Sequence, residues 1–157
     1  MGEPSQIYNI WADGSYRGDT VGAAWQILYA DQSRAGHKTV SDLHRNDRPR
    51  GSDIAELIAV KGALETIPSG AHVHLRLDAQ NIIDMLRSGN VAKASKSVPD
   101  GLKAAFDNAY AQVGRFEKCE ITKVSDKTNT NMQEVNRQAR AASGRESRES
   151  ARDLRHS

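Results

Sequence analysis

Three acids in this sequence stand where phosphate chemistry would need them. Asp13 follows the β-branched and aromatic run Ile7-Tyr8-Asn9-Ile10-Trp11-Ala12 and precedes Gly14-Ser15, Glu56 lies near the start of an apolar-striped stretch, and Asp78 closes an alternating one. A carboxylate at the end of an apolar strand is costly to bury unless an arginine, a backbone turn or a metal ion meets it. Three hard oxygen ligands from three separate elements suit magnesium, which takes a few carboxylates, keeps waters and accepts phosphate oxygens. The matching reaction is phosphodiester cleavage, in which two such ions about 4 Å apart activate a water and stabilise the leaving oxyanion.

Each acid also has a plainer reading on its own. Asp13 would cap a Gly-Ser turn, Glu56 would be a solvated first-turn acid favoured by the helix dipole, and Asp78 would cap a helix. His72 and His74, two apart on one strand face, lack a third soft ligand and read as partly exposed strand residues. Trp11 and Trp25 read as core. Gly14 and Ser15 are candidates for substrate contact, because a backbone without a bulky side chain lets a sugar-phosphate come close.

Positioning the acids requires an ordered set of elements. Residues 7–13 form a strand with Asp13 at its end, followed by a polar turn at 17–19 and a second apolar strand at 21–30. Composition makes 31–36 a turn, and the weak alternation of 37–45 suits an edge strand. Ser52 is a cap and Asp53 a favourable first-turn acid for a helix with Leu57, Val60, Leu64 and Ile67 on one stripe, ended by Pro68-Ser69-Gly70. Residues 72–78 alternate as a strand, joined to the first by a helical crossover and so parallel to it. A short helix over 80–87 turns Ile82, Ile83 and Leu86 inward, and a longer one from Pro99 does the same with Leu102, Ala105, Phe106, Ala109, Tyr110 and Val113. A fifth strand at 117–124 points Cys119 and Ile121 inward, a polar loop spans 125–130, and Met132, Val135, Ala139 and Ala142 stripe a last helix.

The whole is one domain of 157 residues, split here into a folded part, 1–143, and a mixed-charge tail, 144–157, expected to be flexible. Net charge is only +2, from 22 Lys and Arg against 20 Asp and Glu, so charge alone does not imply nucleic acid. Its clustering is more informative. Arg45, Arg48 and Arg50 precede Glu56, and Arg87, Lys93 and Lys96 follow the second helix, with 91–97 small and basic. Positive loops beside acids would hold a phosphate backbone, and scattered solvated charge is the equal alternative. The lone Cys119 excludes an internal disulfide and a multi-cysteine zinc site. No apolar run approaches the ~20 residues of a bilayer span, and the first residues lack signal-peptide character. A cytoplasmic location is expected.

Ala12-Asp13-Gly14-Ser15, Ala55-Glu56-Leu57-Ile58-Ala59-Val60, Leu77-Asp78-Ala79-Gln80 and Asn136-Arg137-Gln138-Ala139-Arg140-Ala141-Ala142 occur in the order, and in the elements, of four motifs of one family. Over residues 6–143 the chain resembles type 1 ribonuclease H. That resemblance implies a ribonuclease H-like α/β fold: a five-stranded mixed sheet, its first three strands antiparallel and strands four and five parallel to the first, flanked by about four helices. It implies a monomeric endonuclease, independent of membranes, that cuts the RNA strand of RNA–DNA hybrids and leaves 5′-phosphate and 3′-hydroxyl ends. Mg2+ would be the cofactor, with Mn2+ as a substitute. Asp13, Glu56 and Asp78 match the family's metal-binding carboxylates, Asp13 bridging both ions. Asn136 stands where the family has a fourth acid; its amide oxygen ligates without charge, so the second ion would be held more weakly. Gly14, Ser15, Ser52, Asp53 and Gln80 would contact substrate, Ser52 and Asp53 in place of two asparagines. The family's loop histidine is absent from 125–130, where Asp126 and Lys127 are polar substitutes. Two other readings remain open: a hybrid-binding module without catalysis, and a related nuclease such as a junction resolvase or mobile-element enzyme.

Overall fold

In the computed structural model, residues 6–91 and 98–144 are described. Most of the basic segment at 91–97 and of the tail at 144–157 lies outside them. Strands β1 (Ile7–Arg17), β2 (Thr20–Tyr29) and β3 (Gln32–Val40) form an antiparallel meander. Strands β4 (His72–Leu77) and β5 (Lys118–Lys123) add in parallel on the far side of β1, giving the order β3-β2-β1-β4-β5. Parallel neighbours need a crossover, supplied by α1 (Gly51–Leu64) and then by α2 (Gln80–Ser88) and α3 (Asp100–Val113); α4 (Thr130–Ala142) follows β5. Among the described residues this is the expected mixed sheet with four α-helices. No helix among the described residues is long and apolar enough to cross a membrane.

The two faces of the sheet are covered unequally. On one face α1 is buried almost all round, with Ile54, Leu57, Val60 and Leu64 fully packed among Ile10, Val73, Leu75, Leu102 and Phe106. Ala55, Ala59 and Ala63, spaced by four and all inaccessible to solvent, let its backbone settle close to β1. Among the described residues the other face carries only α4, whose Met132, Val135 and Ala139 cover Trp11 and Ala24. Gly22 permits that docking, since a side chain there would strike the backbone of Ala139 and Ser143. Trp11 is core as expected, packed in the α4 cluster, and Trp25 is partly buried against the α1 cluster, with Gly36 and Gly62 under its ring.

Several boundaries differ from the sequence expectation. Residues 13–15 do not end β1 in a Gly-Ser turn, because Asp13, Gly14 and Ser15 pair with the small residues Ala24, Ala23 and Gly22 of β2. The turn comes at Gly18, whose φ of +65° suits a tight hairpin. β3 begins at Gln32, so most of 31–36 is strand and Val40 is its last residue. The tight turn instead uses Ala30 in a left-handed conformation at φ 54°, which no Gly or Asn announces. Ser52 is not a cap: a one-turn 3-10 helix, Arg48–Arg50, runs straight into α1 and puts Arg50 at the N-cap, without a side-chain bond. On α3 Tyr110 turns outward, 43% exposed, and stacks on Phe106. Ile121 is buried as expected while Cys119 is half-buried, its thiol pushed up to about 11 by burial and then by Glu120.

Candidate active site

Asp13 lies in mid-strand on β1, 4% exposed, on the face that α4 covers. Glu56 lies in the second turn of α1, 8% exposed, on the opposite side of the same strand. What joins them is the missing side chain of Gly14. A Cβ at Gly14 would stand 2.7 Å from Ala55 Cβ and closer still to Ala55 C and Glu56 N, so only glycine lets α1 come this near β1. Gly14 N–H then donates to Asp13 Oδ1 at 2.9 Å and to Glu56 Oε1 at 3.1 Å. One backbone donor thus holds two carboxylates together.

Two carboxylates cannot share so dry a place without a proton or a cation. Glu56 Oε2 is buried and has no hydrogen-bond donor among the described residues. Its carboxyl is held well above the usual range by burial first, then by the Asp13 carboxyl and its charge, with Asp78 adding and Gly14 N–H opposing. Asp78, just past β4 and partly exposed, is also raised: by burial first, then by Asp126 and Asp13, against Lys123 and Lys127. Asn136 of α4 reaches the same point, and its Nδ2 donates to Asp13 Oδ2 at 2.6 Å. A carboxylate only accepts, so the amide nitrogen must face it. Asn136 therefore meets Asp13 as a donor, with its oxygen turned away.

The acids named from sequence are thus brought together, Asp13 with Glu56 directly and Asp78 within electrostatic reach. Among the described residues no three His, Cys, Asp or Glu side chains close into a ready-made metal cage. Magnesium does not require one, since it is commonly held by one or two carboxylates, its own waters and substrate phosphates. The donor set is hard oxygen, and the unpartnered Glu56 Oε2 is the kind of atom that a divalent cation satisfies. The residues present fit such an ion.

The other candidates divide. Ser15 is buried, its hydroxyl accepting from Ser143 Oγ at 3.2 Å, and Gly14 turns its bare face to α1. Ser52 and Gln80 are exposed at the starts of α1 and α2. Asp53 is engaged on both oxygens, by Arg50 Nε at 2.7 Å and Asn81 Nδ2 at 2.8 Å, and so ties the two helix starts together. His72 and His74 stay apart from the acids and face Glu120 of β5 at 3.8 and 3.7 Å, with His74 Nε2 on Thr122 Oγ1 at 2.8 Å. Sequence reasoning missed the Arg50–Asp53–Asn81 link, which depends on two helices meeting. It named Asp126 only as a polar substitute for the loop histidine, and its charge is now seen to act on Asp78.

No family model matches this sequence, and no curated protein matches it. Solved structures do share its shape. An RNase H1 from the halophilic archaeon Halobacterium salinarum superposes with a TM-score of 0.58 at 19% identity, over 82% of this chain and 93% of that one. The N-terminal RNase H domain of a Mycobacterium tuberculosis protein, solved as a maltose-binding-protein fusion, gives 0.60 at 18% identity, over 87% and 98%. LC9-RNase H1, described as a type 1 RNase H with the type 2 active-site motif, gives 0.68 at 18% identity, over 92% and 75%. At such identities the likeness is one of fold, and the fold is ribonuclease H-like.

Proposed function

We propose that this chain is a metal-dependent endonuclease that hydrolyses the RNA strand of RNA–DNA hybrids, with Mg2+ as cofactor and Mn2+ as a substitute. One observation carries the reading: on this fold, Asp13 and Glu56 are held by a single backbone N–H, and a buried Glu56 oxygen lacks a partner among the described residues. When bound, divalent ions would supply a water acidic enough to attack near neutral pH and a counter-charge for the leaving oxyanion. The chain's own residues prepare for that. Asp13, Glu56 and Asp78 are the carboxylates that would hold the ions. A cation held there would require Glu56 as its carboxylate, and since burial and Asp13 raise its pKa, metal affinity would depend on pH. Asn136 fixes the orientation of Asp13 by donating to Oδ2.

Substrate would approach over the exposed starts of α1 and α2, where Ser52 and Gln80 are available and Asp53 steadies Arg50. Contacts there would read 2′-hydroxyls across a minor groove rather than base edges. Gly14 and Ser15 contribute from within, by setting how closely α1 and α4 meet β1. A second reading, a hybrid-binding module without catalysis, is favoured by Asn136, which brings no fourth negative charge.

Labelled RNA–DNA hybrid, DNA duplex and RNA duplex, each with Mg2+ and then Mn2+, separate the two. Hybrid-only cleavage that leaves 5′-phosphates and disappears in Asp13→Asn, with an unchanged circular dichroism spectrum, is the expected result. A fully active Asp13→Asn variant refutes the nuclease reading. Hybrid bound in EDTA but uncut in either metal selects the binding module.

A further inference from the structure

The starts of α1 and α2 meet at one side chain. Asp53 accepts from Arg50 Nε at 2.7 Å on Oδ2 and from Asn81 Nδ2 at 2.8 Å on Oδ1. All three lie close to the acids in the chain: Asp53 precedes Glu56 by about one turn on the same side of α1, and Asn81 follows Asp78 by three residues into α2. We propose that Asp53 is a positioning residue that does not itself meet substrate, and that it turns Arg50 toward a phosphate of the hybrid and Asn81 toward a 2′-hydroxyl of the RNA strand. The inference rests on the nuclease reading and assigns two more residues to it.

Arg50 is poorly placed for the fold alone. It stands at the N-cap of α1, makes no side-chain cap, and sets a positive charge against the positive end of the helix dipole. A serine or asparagine there would stabilise the helix better. Asp53 in the first turn offsets the cost, and what the pair gains is orientation. With Nε held by Asp53, the plane of the guanidinium is fixed, and its two Nη groups make no hydrogen bond among the described residues. A planar fork of free donors fits two oxygens of one phosphate. The Arg50 side chain is 33% exposed against 19% for Asp53, so the cation is the more accessible member of the pair.

The orientation of Asn81 follows from hydrogen-bond polarity. A carboxylate only accepts, so Asn81 meets Asp53 through its nitrogen and turns Oδ1 away. Asn81 is exposed, and its Oδ1 has no donor among the described residues. A 2′-hydroxyl can donate to that oxygen and a deoxyribose cannot, which distinguishes RNA from DNA at this point. Asp53 itself has both oxygens engaged, and its charge would repel a phosphate that met it directly. One acid thus presents two other groups, a cation for the backbone and an acceptor for the sugar.

The test is equilibrium binding of a fluorescein-labelled RNA–DNA hybrid, and of a DNA duplex of the same sequence, by the full chain in EDTA across a salt series, with circular dichroism on each variant. Removing a negative charge from a surface that meets nucleic acid tightens binding if that charge is a bystander. Asp53→Ala should instead weaken hybrid binding on the order of tenfold, and the neutral isostere Asp53→Asn should weaken it less. Arg50→Gln should weaken hybrid and duplex alike and reduce the slope of log K against log salt by about 1. Asn81→Leu should narrow the preference for hybrid over duplex and leave that slope unchanged. Hybrid binding as tight as the parent's or tighter in both Asp53 variants overturns the positioning role. An unchanged salt slope in Arg50→Gln overturns the phosphate contact, and equal losses on hybrid and duplex in Asn81→Leu overturn the hydroxyl contact. Each of these outcomes leaves the nuclease reading standing; that reading fails separately if the parent cuts no hybrid in Mg2+ or Mn2+.

Discussion

Gly14→Ala tests the geometry of the site most directly, because the substitution adds one methyl and no charge. That methyl would start 2.7 Å from Ala55 Cβ and nearer still to two backbone atoms of α1, whereas ordinary contact begins near 3.4 Å. Neither side can yield locally: Gly14 is in the middle of a strand paired with Ala23, and Ala55 is in a helix buried on nearly every side. The helix must therefore back away by at least about 0.7 Å. Moving Glu56 by that amount stretches its 3.1 Å bond from Gly14 N–H to roughly 3.8 Å, beyond hydrogen-bonding range. Overpacking of this kind costs about 1–3 kcal/mol, which for a domain of this size lowers the melting temperature by roughly 4–8 °C at the middle of that range. A displacement approaching 1 Å at a reacting centre costs on the order of 100-fold in rate. Thermal unfolding and single-turnover hybrid cleavage would be measured side by side in Mg2+. A Gly14→Ala variant with unchanged melting temperature and rate refutes the claim that the bare face of Gly14 sets the approach of α1.

Other consequences are separable. With metal removed by EDTA, Glu56 binds its proton more tightly folded than unfolded, and Asp78 shifts the same way. Over that window the folded state holds more protons than the unfolded chain. Stability is therefore full below about pH 4.5, the ordinary glutamate value, and falls as pH rises through the elevated one. Urea midpoints measured between pH 4 and 8 should decline in EDTA, with a shallower slope in Glu56→Gln; a midpoint rising over that range contradicts the buried acid pair. Asp47, buried beside the 3-10 helix, accepts from Gly101 N at 3.0 Å and caps α3 from a distance, where the N-cap Pro99 has no side chain to do so. Asp47→Ala should cost about 1 kcal/mol and lower the melting temperature by about 2–4 °C, readable by calorimetry, while an unchanged value would mean that water replaces the cap at no cost.

Much of this was legible in the chain itself. Period-two alternation placed β4, period-3.6 stripes placed all four helices, and the helical crossover made β4 parallel to β1, because these patterns follow from which face each element must bury. The acids Asp13, Glu56 and Asp78 were visible as polar residues in apolar surroundings, which is itself a physical anomaly. Boundaries were less legible. The β2–β3 turn hinges on Ala30 in a conformation its side chain disfavours, and β1 runs through Gly14-Ser15 because β2 offers small partners across the ladder. Neither cause is local in sequence.

What the fold alone decided is which polar groups meet. Gly14 looks like a turn residue or a point of substrate approach until α1 is seen lying against it, and Asn136 looks like a weak ligand until its amide is seen donating to Asp13, 123 residues away. Hydrophobic periodicity is a property of consecutive residues and can be read along a chain. The sharing of one N–H between two acids, or the orphaning of one oxygen, depends on ångström-scale distances between elements, which only their packing sets.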